Sequence, residues 1–240
     1  MEGLGLRDDW QAVINSLRNI ADIYDSVNRV ISFNTDIFFR VEALTGCLRD
    51  GDRVLDLGCG TGVFGRVALS LRPGLGDVVM ADFLAEMLAR VGDDGRTHRV
   101  QGVFEHLPFR DSCFDLVIMG FSLRDSLRLE EAVEEVNRVS KADGGRFTVV
   151  DLGKPDSRVR STIIGLYWRV FAPLLAALYL GRRGLEVAKI YPTYRRHPRT
   201  SRLKSLISRY FGSVAVSERM LGGVVIVRAL NPLKGRSPQA

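Results

Sequence analysis

The chain has 240 residues, a formal net charge of +6, a sequence isoelectric point near 9.5, and 46% hydrophobic and 26% charged residues. That balance excludes a fibrous, low-complexity or disordered chain, and the length suits one α/β domain with additions better than two domains of roughly 100–200 residues each. Cys47, Cys59 and Cys113 are too few and too scattered to form a disulfide framework or a paired metal site, so reduced thiols, no metal and a cytoplasmic setting are expected.

Met1 to Trp10 carries acids and no apolar signal core, which reads against a secretory leader. Asp9 to Ile20 places Val13, Ile14, Leu17 and Ile20 on one helical stripe, so residues 1–48 are expected as a helical cap outside the sheet. Strand and helix patterns then alternate. Arg53 to Leu57 reads as a buried strand, Gly62 to Leu71 as a helix, Asp77 to Ala81 as a strand and Leu84 to Val91 as a helix. Phe114 to Met119 is a further strand, Leu129 to Ser140 a helix and Phe147 to Leu152 another strand. Strands separated by helices predict a parallel sheet covered on both faces, with residues 49–156 as the binding core.

Residues 157–198 are expected as a helical insertion over the acceptor side. Within them Ile163 to Leu180 has the length and apolar character of a membrane span, but Arg169 and Pro173 interrupt it. A lone charge at a bilayer centre costs about 2.5–3.5 kcal/mol on insertion scales, which favours a buried or surface-docking helix pair. A helix from Arg199 to Tyr210 and two β-rich runs, Ser213 to Ser217 and Val224 to Ala229, predict a hairpin that completes the sheet over residues 199–230, leaving 231–240 as a tail.

The strongest chemical signal is Val54-Leu-Asp-Leu-Gly-Cys-Gly-Thr-Gly62, a strand running into a glycine turn and then a helix. Gly58, Gly60 and Gly62 remove side chains where the backbone must turn sharply and meet a ligand closely. A dinucleotide loop sets its third glycine one residue later and lays a pyrophosphate on the helix N-terminus. Here the spacing is tighter, and Asp56 lies at the strand end, where a carboxylate suits an amino group and repels a pyrophosphate. Asp82, 20 residues past Gly62, stands where a Rossmann-like sheet meets the hydroxyls of a ribose. The set points to S-adenosylmethionine rather than NAD.

Tyr24-Asp-Ser-Val-Asn28, Leu55 to Gly62, Glu105-His-Leu-Pro-Phe109, Phe114-Asp115, Phe121-Ser-Leu-Arg-Asp125, Asn137-Arg-Val139, Gly144-Gly-Arg146 and Gly153-Lys-Pro155 together resemble the ubiquinone/menaquinone biosynthesis C-methyltransferases. The glycine and Leu-Pro-Phe blocks are shared by many methyltransferases; the Tyr-Asp-x-x-Asn, Phe-x-Leu-Arg and Gly-Lys-Pro elements are more particular. The resemblance runs from Tyr24 to Pro155, with a fainter echo at Tyr194 to Pro198. It implies a Rossmann-like class I methyltransferase fold, α/β, with a mostly parallel seven-stranded sheet, a C-terminal antiparallel hairpin and helices on both faces. It also implies S-adenosylmethionine as methyl donor, S-adenosylhomocysteine as product and a lipid-tailed quinol as acceptor.

By that resemblance Thr61, Asp82 and Gly120 contact the cofactor, and Cys59, Phe83, Met87, Glu105 and Phe121 complete the candidate cofactor set. Where the family usually has Asn or Asp followed by Ala at the adenine, this chain has Val103-Phe104. Phe104 is therefore expected to pack on the ring or to offer its backbone N–H. Arg124 and Asp125 follow the fourth strand at the carboxyl edge of the sheet, placed for a base and a cationic stabiliser of a phenolate. The alternative for them is a salt-bridged loop pair. Tyr24 is a third candidate catalytic residue, and Tyr194 and His197 are candidate acceptor contacts. His98 and His106 read as structural.

Arginine supplies nearly all of the positive excess, much of it after residue 157, as in Arg182-Arg183, Arg195-Arg196, Arg199 and Arg202. An anionic membrane surface is one candidate partner, at the inner face of the membrane, and a second copy of the chain is another; a solvated basic surface stands beside both. The sequence has no Asn-Pro-Pro-Tyr or Asp-Pro-Pro-Tyr signature and no basic groove studded with aromatics, so nucleic acid is not the expected substrate. Methylation of another small molecule, of RNA or of protein, and cofactor binding without catalysis, remain the competing readings.

Overall fold

The computed structural model describes residues 5–6, 9–93 and 95–235. Its sheet begins after α1 (Trp10–Ile20), α2 (Tyr24–Ile31) and α3 (Asp36–Leu44). From there β1 (Val54–Leu57), α4 (Val63–Leu71), β2 (Val78–Asp82), α5 (Ala85–Leu88), β3 (Thr97–Gln101), β4 (Leu116–Gly120), α6 (Leu129–Val139) and β5 (Arg146–Leu152) alternate as a doubly wound unit. The chain then runs through α7 (Arg158–Leu166), α8 (Ala172–Leu180), α9 (Ile190–Arg196) and α10 (Thr200–Ile207) before β6 (Phe211–Arg219) and β7 (Val224–Pro232). The seven strands lie in the order β3-β2-β1-β4-β5-β7-β6. β1 to β5 pair in parallel, and β7 is antiparallel to both β5 and β6.

Every residue of β1, β4 and β5 is buried, because helices cover both faces. Leu55, Leu57, Val117, Met119 and Phe147 join Val133 and Val136 of α6 and Leu203 and Ile207 of α10 on one face. On the other, Val54, Leu116, Ile118 and Val150 meet Phe39 and Ala43 of α3 and Phe64 and Ala68 of α4. Each such side chain contributes about 1.5–3 kcal/mol of transfer free energy, so these two layers supply most of the driving force. Strand order reverses between β1 and β4, and ligand crevices open there, outside the carboxyl ends of the strands.

The sequence patterns miss one strand and misjudge one helical segment. β3, Thr97-His-Arg-Val-Gln101, is an edge strand with mostly exposed residues, so it lacks the apolar run that marks its neighbours. Ile163 to Leu180 is not a helix pair. α7 passes through a wide π-helical turn, Tyr167–Phe171, directly into α8. Pro173 has no N–H for a bond to residue 169 and its ring crowds that carbonyl, and the wide turn ends just where this conflict would fall. The reversal comes later, at Gly181, with φ of 65°. From there a 3-10 segment, Gly181–Lys189, folds back on α8, where a Cβ at Gly184 would stand 2.2 Å from the Ala176 carbonyl oxygen.

A buried ion pair ties the cap to the sheet. The Arg146 guanidinium on β5 bonds the Asp52 carboxylate and donates to the Cys47 carbonyl at 2.6 Å, and both charged side chains are almost fully enclosed. Removing one partner of such a pair typically costs about 3–5 kcal/mol because the other charge is left buried and unpaired. Asp52→Ala is therefore expected to lower the unfolding free energy measured by urea titration by an amount in that range, whereas exposed Asp50→Ala should change it little.

Candidate active site at the carboxyl ends of the strands

The glycine turn after β1 works by left-handed backbone. Gly58, Gly60 and Gly62 have φ of 69°, 55° and 82°, a region other residues enter only at a cost. Gly58 is also a place of close approach, since a Cβ there would lie 2.5 Å from Ser122 and 2.8 Å from the Phe104 ring. The Gly60 N–H donates to Asp82 Oδ2 at 2.8 Å and the Leu84 N–H to Asp82 Oδ1 at 2.9 Å. Two fixed donors aim the carboxylate, and each oxygen keeps a further lone pair for a hydroxyl. Thr61 donates its hydroxyl to Asp25 Oδ1 at 2.8 Å, which locks the turn to α2.

Two cavities share the walls Tyr24, Gly58 and Gly60 and form one trough across this turn. The larger, about 610 Å³, is lined by Asp25, Asn28, Arg40, Cys59, Thr61 and Gly120 among others. The smaller, about 60 Å³, is apolar on most sides, with Leu17, Phe83, Met87, Val103, Phe104 and Phe121, and it has Asp82 and Asp125 at its polar edge. Phe104 fills the space that Gly58 leaves open, so it stands in the wall where a flat ring would lie. Trp10 of α1 closes this cavity from above and meets Phe83 edge-on at 4.6 Å between ring centroids.

Arg40 is a residue that sequence reasoning missed. It sits buried on α3 with its guanidinium carbon 5.5 Å from the Phe64 ring centre and 5.0 Å from that of Phe121. A Cβ on Gly120 would come within 2.1 Å of Arg40 Nη1, so the glycine at the end of β4 is what admits the arginine. Its nearest carboxylate, Asp36, is 3.8 Å away, and its Nε has no hydrogen-bond partner among the described residues. A buried cation aimed into a cavity with an unmet donor calls for an anion there.

Arg124 and Asp125 occupy a 3-10 turn after β4, beside the apolar cavity. The Arg124 side chain donates to Asp151 Oδ1 at 2.7 Å and to the Phe121 carbonyl, and its backbone N–H donates to Asp151 Oδ2 at 2.9 Å. Asp151 on β5 is fully buried, so it is the arginine's principal counter-ion; Asp125 lies 3.5 Å away. Burial pushes the Asp125 carboxyl up to about 7 against the lowering effect of Arg124. Burial also raises the Tyr24 hydroxyl, with Arg124 pulling the other way. Tyr24, Arg124 and Asp125 converge on a third, small cavity of about 30 Å³, lined also by Val187 and Ile190.

Other candidates fall elsewhere. Asp56 does not line the trough: it lies on the helix-facing side of β1, fully buried, where Oδ2 accepts the Gly65 N–H at 2.8 Å and Oδ1 has no partner among the described residues. The alternation of strand side chains turns it toward α4, away from the mouth. Gly62 begins α4 instead of meeting the small cavity. Glu105 touches the cavity but spends Oε1 on the Arg128 N–H at 2.9 Å, at the start of α6. His197 is buried near Arg124 and Asp151, both ring nitrogens lack a partner among the described residues, and burial lowers its pKa to about 4. Tyr194 donates to the Ser161 carbonyl at 2.8 Å and lines a different cleft.

Comparison with known proteins agrees with the fold and identifies the family. The family described as ubiE/COQ5 methyltransferase matches residues 7–230. The ubiquinone/menaquinone biosynthesis C-methyltransferase UbiE of Pseudomonas savastanoi is 32% identical over 233 residues, covering 92% of this chain and 90% of that one. The protein of the same description from Haemophilus ducreyi is 31% identical over 206 residues, covering 82% and 78%. Among solved structures, a SAM-dependent methyltransferase from Thermotoga maritima superposes with a TM-score of 0.63 at 18% identity, over 91% of this chain and 99% of that one. Another from Aquifex aeolicus gives 0.56 at 15% identity, over 82% and 92%.

Asp56 carries a measurable signature of its burial, which raises its pKa to about 7. An acid whose pKa is raised on folding holds its proton in the native state while the unfolded chain loses it near pH 4, so stability falls as pH rises from there to about 7 and then levels. Asp56→Asn removes this contribution. The stability gap in favour of the Asn variant is expected to open between pH 4 and 7 in urea titrations and to stay constant above; a gap independent of pH would mean that Asp56 is ionised throughout.

Proposed function

The chain belongs to the ubiE/COQ5 methyltransferase family and is an S-adenosylmethionine-dependent methyltransferase, and we propose that it C-methylates the ring of a lipid-tailed quinol, a demethylmenaquinol or a related polyprenyl quinol. The observation that carries this reading is the convergence of Asp125, Arg124 and Tyr24 on one small cavity that shares Tyr24 and Asp125 with the cofactor trough.

The residues present fit the cofactor. Gly60 brings backbone without a side chain to the wall of the larger cavity, and Arg40 in the same wall offers an unmet cationic donor. In this reading Arg40 holds the carboxylate of the methionine moiety, Asp82 takes the ribose hydroxyls, and Phe83, Met87 and Phe104 enclose the adenine. Phe104 offers a face and no hydrogen-bond acceptor, in place of the family's Asn or Asp. When bound, the cofactor supplies an electrophilic methyl on a sulfonium; the protein's tasks are to hold the acceptor in line and raise its nucleophilicity.

Asp125 Oδ1 is buried and has no hydrogen-bond partner among the described residues, and a carboxyl near pKa 7 is well matched to taking a phenolic proton at neutral pH. Arg124, fixed by Asp151, supplies positive charge for the phenolate that results, and Tyr24 stands between acceptor and cofactor to orient the ring. α1, α2 and the Gly181–Lys189 segment exclude water. His197 supports Arg124 from behind and does not reach the acceptor; we place the enzyme in the cytoplasm.

Two variants separate chemistry from binding. Asp125→Asn is expected to lower turnover of a demethylmenaquinol about 10²–10⁴-fold, with cofactor affinity and melting temperature near wild type. It should also abolish a rising limb near pH 7 in the pH–rate profile. Near-normal turnover would remove Asp125 from the mechanism. Arg124→Ala is a poor probe because it strands the buried Asp151 carboxylate, and Arg124→Lys is preferable. Arg40→Gln should weaken S-adenosylhomocysteine by roughly tenfold, as for one lost charge-assisted hydrogen bond. Methylthioadenosine, which lacks the amino-acid carboxylate, should bind both forms alike by calorimetry. Incubation with methyl-labelled cofactor, followed by separation of lipid, RNA and protein, tests the acceptor class; label in RNA or protein would favour the competing substrate readings.

A further inference from the structure

The helical run α7 to α8 has two unlike sides. Ile164, Trp168, Ala172 and Ala176 face inward and pack with Val27 and Ile31 of α2 and Val187 of the 3-10 segment. Outward, Val159, Ile163, Leu166, Val170, Leu174 and Leu178 are exposed at steps of three or four, which makes one apolar stripe along the length of the run. Leu178 is 80% exposed. The stripe broadens on both flanks. Tyr167 donates its hydroxyl to the Ile31 carbonyl at 2.6 Å, which brings the end of α2 and the exposed Phe33 alongside, and Arg160 reaches the carbonyl of the exposed Leu221. An apolar surface of this extent marks an interaction site. The run is apolar enough to span, with mean hydropathy 1.7, but its inner side is committed to the protein.

A cleft of about 480 Å³ opens beside this stripe, and Leu166 belongs to both. Its walls carry Lys154, Arg158, Arg169, Arg195 and Arg199 and no Asp or Glu. Arg158, Arg169 and Arg195 make no ion pair with any described residue. Lys154 donates to the carbonyls of Arg195 and His197, and its pKa is lowered by burial and by the like charges of Arg199 and Arg195. Thr162 and Tyr191 add polar groups, and Arg169 lies over the Tyr191 ring at 5.8 Å. The cleft is a concave cationic site whose charge is offset by no ion pair among the described residues.

We propose that the outer face of α7 and α8 lies in the surface of an anionic bilayer and that this cleft seats the phosphate of an anionic phospholipid. A bilayer leaflet covers both features at once, the acyl region taking the stripe and the headgroups taking the cations. A second copy of the chain would bring an equally basic surface to the same patch, setting like charges face to face. A free phosphate would answer the cleft and leave the stripe in water. The inference goes beyond the identity of the methyl acceptor and is read by binding alone, so its failure and that of the quinol reading are distinguishable.

The test is flotation of the full chain with phosphatidylcholine vesicles made with and without phosphatidylglycerol. Co-flotation is expected only with phosphatidylglycerol and is expected to fall as salt is added. Arg158→Glu with Arg195→Glu should reduce partitioning at least fivefold for each charge removed, about 1 kcal/mol per basic residue. Arg158→Lys with Arg195→Lys should retain it, and Leu174→Ser with Leu178→Ser should abolish it. All four side chains are exposed, so melting temperatures should stay at the wild-type value and report a folded protein. Three outcomes overturn the proposal: equal flotation with neutral vesicles, stabilisation by inorganic phosphate without flotation, or dimerisation lost in the Leu174 and Leu178 variants without flotation.

Discussion

A guanidinium with almost no access to water needs a counter-charge, and Arg124 has its principal one in Asp151. That carboxylate sits on the fifth strand with no exposure at all and accepts from both the side chain and the backbone of Arg124. The pair welds the turn after β4 to β5, and everything that turn carries is placed by it: Asp125 at the small cavity it shares with Tyr24, Phe121 at the trough, Ser122 against Gly58. The Phe121 backbone N–H, which bonds the Val150 carbonyl at 2.6 Å, reinforces the same join. A turn held by a buried charge pair is stiff, which suits the proton-transfer role proposed for Asp125.

The site was legible where it is local. The glycine spacing, Asp82 and the Arg124-Asp125 pair are each specified within a few residues of a strand end, and the fold puts them where a strand–turn–helix unit must. The rest depends on elements distant in sequence. Arg40 is one arginine among many on an amphipathic helix, and only the packing of α3 over Gly120 shows why it is there. Trp10 likewise becomes a wall of the apolar cavity only through tertiary packing. Asp56 misled for a simpler reason: proximity to the turn along the chain does not overcome the alternation of a strand, which sends it to the helix side. β3 was invisible because an edge strand with mostly exposed residues has no apolar pattern to read.

The cavities differ in readiness. The larger part of the trough, about 610 Å³, is open, whereas its apolar end, at about 60 Å³, and the third cavity, at about 30 Å³, have space on the order of a few water molecules. Entry of the proposed quinol ring there would require Val187 and Ile190 to move outward. Those residues belong to the Gly181–Lys189 segment and the start of α9, which lean on α8 across Gly184. Opening of this cavity is thus coupled to the same helix whose outer side carries the apolar stripe.

The wide turn at Tyr167–Phe171 also governs the phase of that helix. Ile164, Trp168, Ala172 and Ala176 recur every four residues along the buried seam. In an unbroken α-helix each four-residue step overshoots a full turn by about 40°, so the seam would drift by roughly 120° over three steps. A π turn takes more residues per revolution and recovers part of that drift. It acts as a rotational offset between two halves of one rod. Deleting a single residue within it would rotate all that follows by about 100°, carrying Ala172 and Ala176 toward solvent and Leu174 and Leu178 toward α2.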